Sequence, residues 1–311
     1  MGTDDMRERH EHSPLCGNQD RIVVGVDRSA GSVAALRWAG QEARIRQTHL
    51  HVVHAWQPPG RQPEAEAVLR DLLAQAFARL PAGVEQLTVQ SHAAEALTAA
   101  SHGAALLVVG SHTRGAFSQI FRSVSRRTVA FASCPVAAVR EGQDRPPRSG
   151  MIVAGVDGSF TSRDALRWAA AEALHRKARL KVVHTVVPMP RTSPWAQGQA
   201  HEMLTSMLAE ILTGPLEKVA VSVETGPGEL ASGRPGTRAV RSRASIALMA
   251  AAQRADLLVV GAHGYGSVSG ALVGSVTSDC LRASPCPVVI IPQAREDQHS
   301  RVRAAKVAME R

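Results

Sequence analysis

The residues best suited to chemistry lie near the C-terminal end: Leu257-Leu258-Val259-Val260-Gly261-Ala262-His263-Gly264 and, beyond a short spacer, Gly274-Ser275. Four apolar residues without alternation predict a parallel strand buried on both faces. Glycine at 261 and 264 lets the backbone turn sharply and bring its N–H groups close to a ligand. Val276 to Ala283 reads as a helix. A helix N-terminus opened by Gly-Ser gathers unpaired N–H groups at the positive end of the helix dipole. Such a site holds anions, phosphate above all, and the Ser275 hydroxyl is a further donor. The stretch lacks the lysine of a P-loop (GxxxxGK[ST]), and no evident base accompanies it to activate water. The residues therefore support binding better than turnover. His54, His112, His184 and His263 are single residues without paired ligand spacing such as HExxH. Packing or a backbone hydrogen bond suits them better than metal ligation.

The elements that must position this stretch come from an internal duplication. Arg21-Ile22-Val23-Val24-Gly25-Val26-Asp27 returns as Met151-Ile152-Val153-Ala154-Gly155-Val156-Asp157 at an offset of 130. Ala35-Leu36-Arg37-Trp38-Ala39 and Val52-Val53-His54 return at the same offset. Leu106-Leu107-Val108-Val109-Gly110 matches Leu257-Leu258-Val259-Val260-Gly261 at an offset of 151, so the second copy is longer by 151 − 130 = 21 residues. Cys134-Pro135-Val136 answers Cys286-Pro287-Val288. Repetition on this scale predicts two domains, over 20–140 and 150–293.

Within each copy strands alternate with helices, which predicts a parallel α/β sheet with right-handed crossovers. Strands are expected near 21–27, 49–55, 85–90, 105–110 and 135–139, and near 151–157, 179–186, 219–224, 256–261 and 287–291. Helices are expected near 30–46, 62–79, 93–101 and 122–132, and near 160–176, 195–212, 244–253 and 274–283. Ser29 and Ser159 suit N-caps, and Trp38 and Trp168 face the core. The linker Arg140–Gly150 carries Pro146-Pro147. The stretch Gly226 to Arg243 reads as an irregular basic insertion with Arg234, Arg238, Arg241 and Arg243, a solvated loop or a lid over phosphate.

These phrases, with Val-Gly-Val-Asp-x-Ser and the spacing Gly-x2-Gly-x9-Gly-Ser, resemble the universal stress protein family along nearly the whole of both copies. The form is similar to its tandem two-domain, ATP-binding members. The resemblance implies two doubly wound domains of five parallel strands in order 3-2-1-4-5, with ligand at the switch between strands 1 and 4. It implies that Asp157 lies beside adenine and ribose, with Val156 as its apolar neighbour and the Thr185 backbone facing the base. Gly261, Gly264, Gly274 and Ser275 match its phosphate-binding positions. Asp157 has an alternative role as a cap for the following helix. In the first copy Asp27 and Gly110 remain, but Thr113 replaces the second glycine and Arg122 precedes Ser123 where Gly274 stands, on a segment one residue shorter. Weak or absent nucleotide binding is expected there. Family members commonly pair through strand 5, an apolar edge with unpaired backbone groups, and a linker of roughly 11 residues, reaching about 36 Å, allows the pairing in cis. Pairing in trans, giving homo-oligomers, is the alternative.

The implied function is ATP binding that shifts conformation or assembly in a stress response, with magnesium able to accompany the nucleotide. A nucleotide-independent assembly adaptor and a slow ATP hydrolase are the alternatives. A net charge of +9, from 36 Lys+Arg against 27 Asp+Glu, invites a nucleic-acid reading. The basic residues are dispersed without aromatic interleaving, however, so a solvated surface is expected. Cys16, Cys134, Cys280 and Cys286 form no CxxC pair. With no apolar run of membrane length and no apolar core in residues 1–20, a cytoplasmic protein without membrane contact is expected.

Overall fold

Short Val/Ile/Leu-rich runs become strands because branched side chains pack well on a pleated surface buried on both faces. The structure, a computed structural model, describes residues 21–111, 127–186, 194–227, 243–264 and 273–293. In the first half the order is β1 (Arg21–Gly25), α1 (Ala30–Arg46), β2 (His49–Trp56), α2 (Gln62–Ala76), β3 (Val84–Gln90), α3 (Ala93–Ala100), β4 (Leu106–Ser111) and β5 (Val136–Arg140). The second half runs β6 (Met151–Gly155), α4 (Phe160–Arg176), β7 (Arg179–Val186), α5 (Pro194–Ile211), a 3-10 turn (Gly214–Lys218), β8 (Val221–Pro227), α6 (Arg243–Ala252), β9 (Leu257–Gly261), α7 (Ser275–Ala283) and β10 (Val288–Ile291). The 3-10 turn was not expected from the sequence. Residues 127–131 are also helical.

All ten strands form one sheet, in the order β3-β2-β1-β4-β5-β10-β9-β6-β7-β8. Each half shows the expected 3-2-1-4-5 order, and every pairing within a half is parallel. The halves meet through the antiparallel pair β5 and β10, with Val288 opposite Ala138, Val289 opposite Ala137 and Ile290 opposite Val136. The cis pairing thus removes both apolar edges at once. Pro135 and Pro287 stand just before these strands, where a missing N–H costs no ladder bond. Their carbonyls instead accept from Leu107 N and Leu258 N.

Local signals act as read. Ser29 and Ser159 accept from the backbone N–H of Ser32 and Ser162 and cap α1 and α4. Trp38 and Trp168 are buried. Several boundaries differ from expectation: α2 ends at Ala76 rather than near 79, and three others bear on the site. The first strand of each half ends at Gly25 and Gly155, so Asp27 and Asp157 stand in the following loop, where their carboxylates meet backbone N–H groups. Gly226 and Pro227 are not part of an irregular stretch but extend β8 opposite Thr185 and Val186, an edge strand tolerating a proline whose absent N–H faces outward. Arg243 opens α6. The basic stretch between these, with Arg234, Arg238 and Arg241, lies outside the described residues, as do His112, Thr113, Arg122, Ser123 and Cys16.

A four-charge cluster lies between α1 and α4. Glu42 and Arg46 of α1 face Glu172 and Arg176 of α4, their own repeats at an offset of 130. Arg176 Nη2 meets Glu42 Oε1 at 2.6 Å, and Arg46 Nη2 meets Glu172 Oε2 at 2.5 Å. This reciprocal pattern is that of an isologous contact within one chain. Both glutamates are about 1% exposed, and the Arg46 guanidinium lies 5.5 Å from the Trp168 ring centroid. Burial pushes the Glu42 carboxyl up, against the pull of Arg176 and Arg46. At Glu172 burial also pushes up, but Arg46 and Arg176 outweigh it and hold the carboxyl below its ordinary value.

The linker is pinned along its length. Asp144 O accepts from Gln41 of α1 at 2.8 Å. The Asp256 carboxylate accepts from the N–H groups of Arg148, Ser149 and Gly150. Burial raises the Asp256 carboxyl, yet these N–H bonds outweigh it and leave it below the ordinary aspartate value.

Candidate functional site

At the C-terminal end of the second half's strands, the topological switch falls between β6 and β9. A cavity of about 150 Å³ opens there, and Val156, Asp157, Thr185, Gly261, Gly264, Gly274 and Ser275 all line it. The structure therefore brings all seven sequence-selected residues to one place.

Each wall has a local cause. β9 ends at Gly261, where an added Cβ would meet the Thr161 side chain at 3.0 Å. Thr161 Oγ1 donates to His263 O, so the first turn of α4 grips the loop beyond the strand. An added Cβ at Gly264 would fall on Asp157 Oδ2. Asp157 uses Oδ1 differently, accepting from Ser159 N at 3.0 Å and Ser159 Oγ at 2.6 Å. One oxygen thus takes the capping role weighed from sequence, while the other faces the glycine loop. Gly274 N donates to Ala262 O at 2.8 Å, closing the loop onto α7. An added Cβ at Gly274 would come 3.3 Å from that carbonyl oxygen.

Gly274 is the N-cap of α7 and offers no side-chain cap. The first N–H groups of the helix, those of Ser275, Val276 and Thr277, have no preceding carbonyl within the helix to bond. They and the positive end of the helix dipole lie at the cavity. Thr277 Oγ1 donates to Gly261 O at 2.7 Å and locks the helix to the strand end. Ala244 and Leu248 of α6 supply an apolar wall. The combination of apolar wall, strand-edge backbone, carboxylate and uncapped helix end suits a ligand with a flat apolar part and an anionic part.

Thr161, Thr277, Ser162 and Leu248 were missed by sequence reasoning. Hydroxyls bonded to backbone carbonyls leave no spacing signature, and Leu248 reads as ordinary core. His184 Nδ1 lies 2.7 Å from Val156 O and His54 Nδ1 2.9 Å from Val26 O, the backbone role expected of them. Burial, with Asp279 beside it, pushes the Cys280 thiol of α7 up to about 12.

The first half has the corresponding crevice, lined among others by Gly25, Val26, Asp27, Ala55 and Gly110, but it measures about 70 Å³. Where Thr161 stands in the second half, the first has Gly31. The α1 backbone accordingly comes so close that a Cβ at Gly110 would lie 2.8 Å from the Gly31 carbonyl carbon.

A sequence model of the universal stress protein family matches residues 19–140 and again 150–292. The chain belongs to the universal stress protein family. A universal stress protein of Mycobacterium tuberculosis is 33% identical over 311 residues, spanning 89% of this chain and 98% of the relative. One from Mycolicibacterium smegmatis is 30% identical, over 87% and 96% of the two chains. Among solved structures, a universal stress protein from Archaeoglobus fulgidus superposes with a TM-score of 0.65 at 18% identity, over 88% of this chain and 99% of that one. That likeness supports the tandem universal stress protein fold seen here. Among the described residues no helix is long and apolar enough to cross a membrane.

Proposed function

We propose that this universal stress protein binds an adenine nucleotide, ATP, in its second crevice, and that occupation shifts its conformation or assembly during a stress response. The observation that carries the reading is the convergence of the Gly261/Gly264/Gly274/Ser275 set and the Val156/Asp157/Thr185 set on one cavity beside an uncapped helix end. The phosphates would lie along the glycine loop and the N–H groups of Ser275, Val276 and Thr277. The base would rest on the Thr185 backbone and Leu248, with Asp157 accepting from a ribose hydroxyl. Magnesium arriving with ATP would be held by phosphate oxygens and water, since the described residues contain no group of three metal-ligating side chains. The stretch carries no P-loop lysine, which favours a binder whose output is a changed surface.

Extraction of small molecules from the purified chain tests this. Adenine nucleotide is expected in the extract, and Gly264→Val, which fills the space beside Asp157, should lose it. A chain that carries no nucleotide and gains none on titration with ATP would favour an assembly adaptor.

A further inference from the structure

The inference rests on the nucleotide reading above and concerns α7, whose two ends face different parts of the molecule. Its first turn lies at the second crevice. Its last carbonyls lack intrahelical donors, as at any helix end, and two of them are taken by the segment that leaves the first half. Arg140 Nη1 donates to Arg282 O at 3.1 Å, and Gln143 Nε2 donates to Ser284 O at 3.0 Å. Gln143 Oε1 in turn accepts from Arg140 N at 2.9 Å, so the two residues brace one another. Arg140 is the last residue of β5, the strand that forms the seam with β10.

In its middle turn α7 is tied sideways to the other crevice wall. Asp279 accepts from Ser245 Oγ of α6 at 2.9 Å and also from Arg282, and Ser245 is fully buried. A continuous set of bonds therefore runs from the seam through Arg140 and Gln143 to α7, and from α7 to both walls of the crevice. In the repeat, Arg140 corresponds to Pro292, at an offset of 152, which has no side-chain donor. Among the described residues the hold is seen on the half whose glycine set is complete.

We propose that Arg140 and Gln143 are positioning residues for the second crevice: by holding the far end of α7 they couple ligand occupation there to the joint between the halves. Coupling of this kind is reciprocal. What fixes the joint sharpens binding, and bound ligand tightens residues 140–144.

Hydrogen exchange and ATP titration of the full-length chain decide the matter. In ligand-free protein, Arg140→Ala with Gln143→Ala should speed exchange of the α7 amides about tenfold while leaving α1 and β6 unchanged. The same variant should bind ATP about five- to tenfold more weakly. Arg140→Lys, which keeps a donor, should recover most of that loss. In wild type, ATP should slow exchange at residues 140–144. Exchange and affinity both within about twofold of wild type would overturn the coupling. Should the double variant fail to fold, Gln143→Ala alone removes the bond to Ser284 O and the brace on Arg140 N and is read the same way, with a smaller change. A wild-type chain that binds no ATP removes the nucleotide reading, and α7 exchange in ligand-free protein then decides the hold by itself.

Discussion

The two crevices of this molecule share a sheet order, an aspartate in the loop after the first strand and a histidine on the second, yet one is about twice the size of the other. One difference between them lies at the contact between the first helix and the fourth strand of each half. In the first, Gly31 lets the helix backbone settle onto Gly110. In the second, Thr161 stands between helix and strand and fastens the loop carbonyl of His263. The larger crevice thus has a side chain at this helix start where the smaller one has none. The seam teaches the opposite lesson, because there the copies have stayed equivalent: β5 mirrors β10, and Glu42/Arg46 mirrors Glu172/Arg176.

The largest expected effect tests that equivalence. Glu172→Ala removes one partner from a buried cluster and leaves Arg46 and Arg176 short of charge, a change expected to cost about 3–5 kcal/mol in chemical denaturation. Glu42→Ala should cost less, because its carboxyl is raised by burial while that of Glu172 is depressed. The pH dependence differs in sign. The Glu172 contribution is present above the ordinary glutamate range and is lost as pH falls through its lower folded value. For Glu42 the folded value is the higher one, so its linkage favours the fold at low pH and is lost as pH rises through that value. Equal costs and parallel pH profiles would show the two glutamates to be equivalent in energy although their own-helix arginines lie at 3.7 Å from Glu42 and 2.5 Å from Glu172.

Next in size is Thr161→Val, which keeps volume and removes the bond to His263 O. It should weaken ATP binding about tenfold, or about 1.4 kcal/mol, and change the denaturation midpoint little. Gly31→Thr in the first half should not create a second site, since Thr113 and Arg122 remain. Binding at two sites after Gly31→Thr would show that this one contact sets the difference.

The smallest effect concerns the linker. Asp256→Asn leaves a single acceptor for three backbone N–H groups and should cost about 1 kcal/mol at neutral pH. The Asp256 carboxyl is held below its ordinary value, so in wild type this contribution is present above about pH 4 and lost as pH falls through the lower folded value. Urea denaturation at neutral pH and again below pH 3 should show the difference between wild type and variant shrinking. A difference that stays constant would place the Asp256 contribution outside its charge.

Much of this architecture was legible in the sequence, because strand runs buried on both faces and a repeat at constant offset survive without knowledge of contacts. Val26 and Val156 continue the apolar run past the strand, which is why Asp27 and Asp157 read as strand ends when they stand in loops. Pro227 reads as a breaker, but β8 is an edge strand and keeps it. The glycine set was legible because glycine is required where a Cβ would strike Asp157 Oδ2 or crowd Ala262 O. The hydroxyl bonds of Thr161 and Thr277 and the Arg140 hold on Arg282 were not, since each joins residues remote in sequence through a backbone carbonyl. The charge cluster left half a signal: Glu42/Arg46 and Glu172/Arg176 are ordinary helix pairs until the seam brings them together.

The central claim is that the crevices are unequal, and the stoichiometry of ATP binding to the full-length chain tests it most directly. Calorimetric titration should give one site per chain, abolished by Gly264→Val and unaffected by Thr113→Val. Two sites of comparable affinity, or one site that survives Gly264→Val and is lost with Thr113→Val, would contradict the account.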